Sequence, residues 1–514
     1  MTTRTEALII GAGLSGIGQA VALARSGIDF VVLEKAPDLG GTWQSNTYPG
    51  AACDVEAHLY SYSHTKNPYW RSTYAGQEEI LGYLRGVTVR HGLLPRIRFG
   101  IRVVSARWDE GTAEWTVETA DGTTYVSRFL VLGVGGLHVP RIPEVPGAAT
   151  FRGSAWHTSC WNHDIDLAGK HVTLVGVGAS GVQVAPHLAE RAASLTIFQR
   201  TPPWVLPKAD AAIPAWRQRL FAWLPAAQLL HRLGIYLQRE KRGFGFHTRP
   251  DLLRVAEPIV RRRIAEQIAD PSLRALVTPD YPLGCKRVLF STDYYATLNR
   301  PDVHVVPGSP AEIRPDTIVD TVGGEHQTDV LVYATGFDLT GSFDRIEIAG
   351  IGGRLLKEKR QDGMHGYHGL AVPDFPNMFM LLGPNGFAPY TSVVPNIEAQ
   401  ARYVVQAIRT TRSTGARALT VRHDATDRFL AEMRTRFART IWAPGKCRNW
   451  YQNDSPSGTV LWPGSTLHYR LRLRTLRRDD YEFLPARNAF QRGDEPYSPC
   501  SPPVDVPDRE RHVP

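Results

Sequence analysis

Apolar residues along the chain fall into short blocks set off by glycine-rich turns. In "ALIIGAGLSGIGQAVALARSGIDFVVLEK" an apolar run meets a turn carrying Gly11, Gly13 and Gly16. A helical segment follows, and a second apolar run ends at Glu34. That order predicts a complete strand–helix–strand unit. "HVTLVGVGASGVQVAPHLAERAASLTIFQRTP" repeats the plan with Gly176, Gly178 and Gly181, and ends at Gln199, Arg200 and Thr201. Two further apolar runs, "RFLVLGVGG" and "TDVLVYATGFD", end in small residues and read as strands, each closing one unit. "FPNMFMLLGPNGFAPYTSVVPNIEAQARYVVQAI" reads as a strand, a Gly/Pro/Asn turn and a helix that return the chain to the first unit.

The remaining segments are less regular. Residues from about 209 to 275 read as helices inserted into the second unit. Their most apolar part, "WRQRLFAWLPAAQLLHRLGIYLQREKR", is broken by Arg, Pro and His too often to span a bilayer. A packed helix pair is expected there, with an amphipathic surface role as the alternative. "YRLRLRTLRRDD" alternates apolar with basic residues and predicts a strand with one solvated face. The last thirty or so residues lack periodicity and are rich in Pro, which predicts a mobile or draped tail.

Glycine at those turns lets the backbone approach a pyrophosphate at a helix N-terminus. Glu34 lies 18 residues beyond Gly16, where an acid can hold both ribose hydroxyls. The second unit has Arg200 at the corresponding place. A carboxylate there would repel a 2′-phosphate, whereas a guanidinium forks onto it. The first unit therefore suits FAD and the second NADPH. The expected fold class is α/β, with two Rossmann-like dinucleotide-binding domains (FAD and NADPH) and a helical insertion in the NADPH domain. The expected boundaries are 1–150 for the first part of the FAD domain and 151–328 for the NADPH domain. Residues 329–484 form the second part of the FAD domain, with a mobile substrate loop, and 485–514 form the tail. The prolines of "LHVPRIPEVPG" make a stiff exit from the first part.

Length and composition agree with a globular protein of two or three domains. A net charge of +9 over 514 residues is mild and suits an anionic cofactor or substrate; no nucleic-acid partner is expected. Cys53, Cys160, Cys285, Cys447 and Cys500 are odd in number and scattered, which argues against a disulfide framework or a zinc site. The N-terminus lacks the pattern of a secretory signal. No integral membrane segment and no metal are expected, and the chain reads as cytoplasmic.

Two further motifs carry a resemblance. "GGTWQSNTYPGAACD" places Gly41, Trp43, Tyr48, Pro49, Gly50 and Asp54 in the pattern Gly-x-Trp-x4-Tyr-Pro-Gly-x3-Asp. "FRGSAWHTSCW" places Phe151, Gly153, His157 and Trp161 in the pattern Phe-x-Gly-x3-His-x3-Trp. Both lie in order between or beside the two glycine turns, and together they resemble the fingerprints of type I Baeyer–Villiger monooxygenases over about residues 5 to 484. One departure is Asn162, where the family usually has Pro or Asp. "GPNGFAPYTSVVPNIEAQ" and "LWPGSTLHYR" resemble the subgroup that includes 4-hydroxyacetophenone monooxygenase.

The resemblance implies an enzyme that uses FAD, NADPH and O2 to convert a small hydrophobic carbonyl compound to an ester or lactone by way of a C4a-peroxyflavin. It implies Arg287, oriented by Asp54, as the catalytic cation, and arginine suits that role because it keeps its proton at working pH. Flavin contacts are implied for Gly11, Gly13, Gly16, Glu34, Gly41, Thr42, Trp43, Asp54 and Tyr60, with Val103 a backbone contact to the adenine. NADPH contacts are implied for Gly176, Gly178, Ser180, Gly181, Arg200, Thr201, Lys286 and Arg287. His157 is implied to couple domain movement to catalysis, as a hinge residue on the linker. Trp442 and Trp450 flank "APGKCRNWYQND" as candidate pocket walls. A monomer or homodimer is expected. The alternatives are oxidation of sulfur or nitrogen on the same scaffold, an uncoupled NADPH oxidase, and a non-catalytic FAD-binding protein.

Overall fold

The first apolar run forms β1 (Thr2–Ile10), which passes through the glycine turn into α1 (Leu14–Arg25) and on to β2 (Phe30–Leu33), parallel to β1. β3 (Thr124–Leu132) lies parallel on the other side of β1. β1 is thus an interior strand, and its final residues are apolar without alternation because both faces are covered. Beyond β3 the sheet continues through antiparallel strands Glu114–Thr119 and Val103–Asp109. The late segments Glu347–Ala349 and Met378–Met380 join the same sheet, against Val103–Asp109 and β3 respectively. This computed structural model describes residues 2–339, 341–359, 366–443, 449 and 460–485; the 486–514 tail and Trp450 lie outside the described residues.

The second sheet begins with β4 (Ser154–His157), followed by β5 (His171–Val175), α2 (Ala179–Ala189) and β6 (Ser194–Gln199). Three long helices, α3 (Ala215–Trp223), α4 (Pro225–His247) and α5 (Asp251–Gln267), and two short ones, Pro271–Val277 and Tyr294–Leu298, separate β6 from β7 (Val303–Pro307). β8 (Val330–Tyr333) completes an all-parallel sheet in the order β7-β6-β5-β8-β4. The long helix α6 (Val394–Ser413) returns to pack on α1, with Ile397 against Gly18.

Four local readings change. "YRLRLRTLRRDD" is not a strand: its first residues end the helix Thr466–Arg472, capped by Ser465, whose Oγ accepts from His468 N. Thr466, Tyr469, Leu473 and Leu476 are buried at spacings of three and four, so the helical period overrides the two-residue alternation. The second fingerprint is not a free linker, because Ser154–His157 is the edge strand of the second sheet, paired with β8. Cys285 is disulfide-bonded, its partner lying outside the described residues, whereas Cys53 and Cys160 are free. Spacing rules see only local cysteine pairs, so a closure made by tertiary contact escapes them. Finally, α4 buries polar side chains beside Ile235 and Tyr236 and exposes leucines. Gln228, Arg232 and Arg239 face inward and Leu230, Leu233 and Leu237 face solvent.

Candidate active site

The first glycine turn leaves no room for side chains. A Cβ on Gly16 would stand 1.8 Å from the carbonyl oxygen of Gly11. The turn is closed over by the segment that starts the short helix Thr42–Ser45, where a Cβ on Gly41 would lie 2.9 Å from Gly13 Cα. Gly41 has φ +56°, a conformation glycine adopts without strain. The two glycine segments form a bare backbone cradle at the N-terminus of α1, which fits a pyrophosphate.

Glu34, at the end of β2, is buried and holds this cradle in shape. Its Oε2 accepts from Ala12 N at 2.6 Å and its Oε1 from Ala36 N at 2.9 Å. Each oxygen keeps a second lone pair, so the same carboxylate fits a ribose as well. Beyond it a cleft of about 620 Å³ is lined by Lys35, Ala36, Gly100, Arg102, Ala120 and Asp121. Val103 follows that cleft, but its side chain is buried in the core with Ile10 and Leu33, leaving its backbone as the part beside the opening.

Trp43 and Tyr60 meet edge to face at 5.7 Å, and Trp43 Nε1 donates to Tyr60 Oη at 3.1 Å. Burial pushes the Tyr60 phenol up, so it stays neutral. The chain then reaches Tyr48–Asp54, which rests on α2 of the second unit. Tyr48 Oη donates to Gln183 Oε1 at 2.8 Å, and Gln183 Nε2 donates to Ala52 O at 2.9 Å. Ser180 also hydrogen-bonds Tyr48, whose phenol burial pushes up to about 12. A Cβ on Gly50 (φ +83°) would stand 2.6 Å from the His187 ring and 2.7 Å from Gln183 O. The first fingerprint is therefore a contact between the two nucleotide units, which its sequence did not reveal.

Asp54 is buried, and its Oδ2 accepts from Arg287 Nε at 3.2 Å across 233 residues of chain. Arg287 precedes the strand Leu289–Phe290, which pairs in parallel with Val205–Leu206 just after the Arg200 loop. Two other contacts fix the segment before it. Trp442 Nε1 donates to Gly284 O at 3.1 Å, and Asn449 Nδ2 donates to Cys285 O at 3.2 Å. Trp442 is fully buried and faces Phe246 at 5.8 Å, so it supports this loop from below.

Lys286 and Arg200 come together. Burial lowers the Lys286 ammonium, and the Arg200 guanidinium lowers it further. Lys286 Nζ also sits 4.6 Å from the centre of the Tyr281 ring. Two cations within electrostatic reach of each other, with Arg200 directly after β6, suit a doubly charged anion such as a 2′-phosphate. Thr201 follows Arg200 there. The second glycine turn matches the first: a Cβ on Gly181 would stand 2.2 Å from Gly176 O, and at Gly178 there is open space.

His157 ends β4 and is buried. Its Nδ1 accepts from Ser159 N at 3.1 Å, and its ring meets Phe337 at 5.3 Å. Burial lowers its pKa, so the ring is neutral. Trp156 and Trp161 pack edge to face at 5.7 Å beside it. The cluster ties the edge strand of the second sheet to the loop after β8, at a distance in the chain from Asp54 and Arg287.

One feature near the Asp54–Arg287 pair has no signal in the fingerprints. Arg239 of α4 is buried, with Nε donating to Glu56 Oε2 at 2.9 Å and Nη2 to the carbonyl oxygen of Asp54 at 3.1 Å. Arg232, one helical face along, donates to His58 O and Ser61 O at 2.6 Å each. The only trace in the sequence is Gln228, Arg232 and Arg239 spaced four and seven apart on a segment otherwise rich in Leu.

A family model described as pyridine nucleotide-disulphide oxidoreductase matches residues 8–224. A Baeyer-Villiger monooxygenase from Streptomyces coelicolor is 40% identical over 93% of this chain and 92% of its own. Among solved structures, OTEMO in complex with FAD and NADP superposes with a TM-score of 0.86 at 27% identity, covering 94% of this chain and 100% of that one. An oxidized steroid monooxygenase bound to NADP gives a TM-score of 0.85 at 30% identity, with the same coverage.

Proposed function

The chain belongs to the Baeyer–Villiger monooxygenase family, and from that premise we propose that Arg287, oriented by Asp54, supplies the fixed positive charge at which this NADPH-dependent flavoprotein oxygenates a small hydrophobic carbonyl compound. Bound FAD, once reduced by NADPH, activates O2 so that one oxygen atom enters beside the carbonyl, giving an ester or lactone, and the other leaves as water.

The observation that carries the reading is the Asp54–Arg287 pair. A carboxylate from the first fingerprint and a guanidinium from beyond the helical insertion meet where the two units touch. The arginine keeps its proton at working pH, and its Nε is spent on Asp54, which fixes the plane of the guanidinium. A charge so preorganised stabilises negative charge on oxygen far more than one that must first reorganise. Support for FAD at the first unit comes from the Gly13–Gly41 cradle and from Glu34. Support for NADPH at the second comes from Arg200 beside Lys286. On this reading residues 1–150 and the later part of 329–484 make the FAD-binding domain and 151–328 the NADPH-binding domain, with the expected boundary at 328 moved past β8 because Val330–Tyr333 is an inner strand of the second sheet. The late strands on the first sheet support that division.

Trp442, Phe246 and Tyr390 cluster beneath the loop that leads to Arg287, which supports a hydrophobic substrate. Because NADPH is supplied inside the cell, we place the enzyme in the cytoplasm, as a monomer or homodimer. His157, neutral and packed against Phe337 beyond β8, is read as a hinge residue and not as a proton donor.

The purified holoenzyme should consume NADPH and O2 with formation of ester from a ketone panel, one equivalent for one. Sulfoxides or N-oxides in place of esters would favour the heteroatom reading, and peroxide release alone would favour an uncoupled oxidase. A second prediction concerns the cofactor. Lys286→Ala and Arg200→Ala should each raise KM for NADPH by about 10–100-fold, the worth of one hydrogen bond to a charged group. KM for NADH, which lacks the 2′-phosphate, should move little in either variant. Equal effects on both cofactors would place the two cations elsewhere.

A further inference from the structure

The helical insertion carries a surface that the oxygenation reaction leaves unexplained. α4 buries Gln228, Arg232 and Arg239, which bond to the segment 54–67, beside Ile235 and Tyr236, and leaves several of its leucines exposed. Leu230, Leu233 and Leu237 lie on one stripe, at spacings of three and four, continued by Lys241 and Phe244. Leu230 is 68% exposed. The preceding helix α3 packs on α4 through Phe221 and His231, whose rings stack at 5.4 Å. It presents Trp216, Leu220 and Trp223 at spacings of four and three, and Trp223 is 93% exposed. On α5, Val255 and Ile259 are 72% and 71% exposed. Exposed apolar side chains on three successive helices, uncovered among the described residues, mark an interaction surface.

The charge around it narrows the partner. Residues 215–267 contain eleven Lys or Arg against four Asp or Glu, a net of +7 within a chain whose total is +9. Two of those arginines, Arg232 and Arg239, point inward. Arg219, Lys241, Arg242, Arg254 and Arg263 are exposed and form no ion pair among the described residues. A second copy of the chain, docked across a twofold axis, would set this charge against itself. A nucleic acid would match the charge but leave Trp216, Trp223 and the leucine stripe in water. A helix face of Leu, Trp and Phe rimmed by Lys and Arg is the composition that lies in the headgroup layer of a negatively charged membrane.

We propose that the exposed face of α3, α4 and α5 docks reversibly on an anionic lipid surface, with Trp223 and the Leu230–Leu237 stripe inserted and Lys241 and Arg242 among the headgroup contacts. No helix among the described residues is long and apolar enough to cross a membrane, so the docking is peripheral. The proposal does not depend on which compound the active site oxidises.

Flotation of the full-length holoenzyme tests it, using phosphatidylcholine vesicles with and without about three parts in ten phosphatidylglycerol, at about 0.1 M salt. The protein should float with the anionic vesicles, stay free of the neutral ones, and be released near 1 M salt, where the Debye length falls to about 3 Å. Lys241→Ser with Arg242→Ser should weaken binding about 25-fold, about fivefold per charge. Trp223→Ser with Leu230→Ser should weaken it at least about tenfold. Both double variants should keep the NADPH-dependent activity measured without vesicles, which reports on their folding. Failure of the wild-type holoenzyme to float, or flotation of both variants equal to wild type, would overturn the proposal. So would self-association abolished by the Trp223 and Leu230 changes, or retention on DNA without retention on lipid.

Discussion

Replacing Arg287 by alanine should leave reduction by NADPH intact and lower ester formation by about 10³-fold, roughly 4 kcal/mol of stabilisation lost at the oxygen-transfer step. The two half-reactions are expected to separate because the proposed function assigns the cofactor phosphate to Arg200 and Lys286 and the oxygen-transfer step to Arg287. Arg287→Lys is the informative companion. Lysine keeps a positive charge but lacks the Nε that Asp54 holds at 3.2 Å, so its ammonium is not fixed in plane or depth. An intermediate loss of about 10–100-fold is expected for it, on the ground that charge remains but preorganisation does not. Anaerobic rapid mixing with NADPH, followed by product analysis after O2 is admitted, measures both halves in one preparation. An alanine variant that makes ester at the wild-type yield per NADPH would remove Arg287 from the reaction.

Arg239→Met is expected to cost about 3–5 kcal/mol of stability, the usual effect of breaking a buried ion pair from one side. Arg239 and Glu56 keep only 6% and 11% of their side-chain surface in contact with solvent. Methionine replaces the arginine stem as far as Nε but leaves the Glu56 carboxylate charged, buried and without its guanidinium. It also removes the donor to the Asp54 carbonyl, so the carboxylate that orients Arg287 loses a constraint on its backbone. Urea unfolding of the FAD-loaded protein should show the loss as an earlier midpoint. Adding Glu56→Gln should recover much of it, because the unpaired charge is the main cost. A single variant as stable as wild type would mean that water reaches the pair. A double variant no better than the single would mean that the carbonyl contact, not the charge, matters.

The same region shows why some features were legible and others were not. The glycine turns could be read because each small residue answers a contact within its own unit, as Gly16 does with Gly11 O. Glu34 could be read because its distance from Gly16 is fixed by one helix and one strand. Lys286 and Arg287 were found by resemblance, since nothing local marks them. Their neighbours Gly284 and Cys285 are held by Trp442 and Asn449, more than 150 residues away. Gly50 was part of a fingerprint, yet its reason lies in the His187 ring of the other unit.

Alternation misled where two periods overlapped. In "YRLRLRTLRRDD" the basic residues repeat every second position, but burial follows Tyr469, Leu473 and Leu476 at helical spacing. In α4 the pattern gave an amphipathic helix and packing assigned its faces. A polar stripe normally turns to water, but here the backbone carbonyls of His58, Ser61 and Asp54 needed donors, and Arg232 and Arg239 supplied them from the buried side.

By itself, then, the sequence determined the two nucleotide-binding units, the preference of each glycine turn for a close backbone approach, and the acid and the base at the ends of the second strands. These follow from contacts between residues fewer than about forty positions apart, where helix and strand geometry fixes the distance. Only the tertiary structure decided that Asp54 meets Arg287, that Arg200 meets Lys286, that the second fingerprint is an edge strand, and that α4 shows its leucines to solvent. Each of those depends on which distant surface is available to satisfy a buried charge or an unpaired carbonyl, and no local period encodes that.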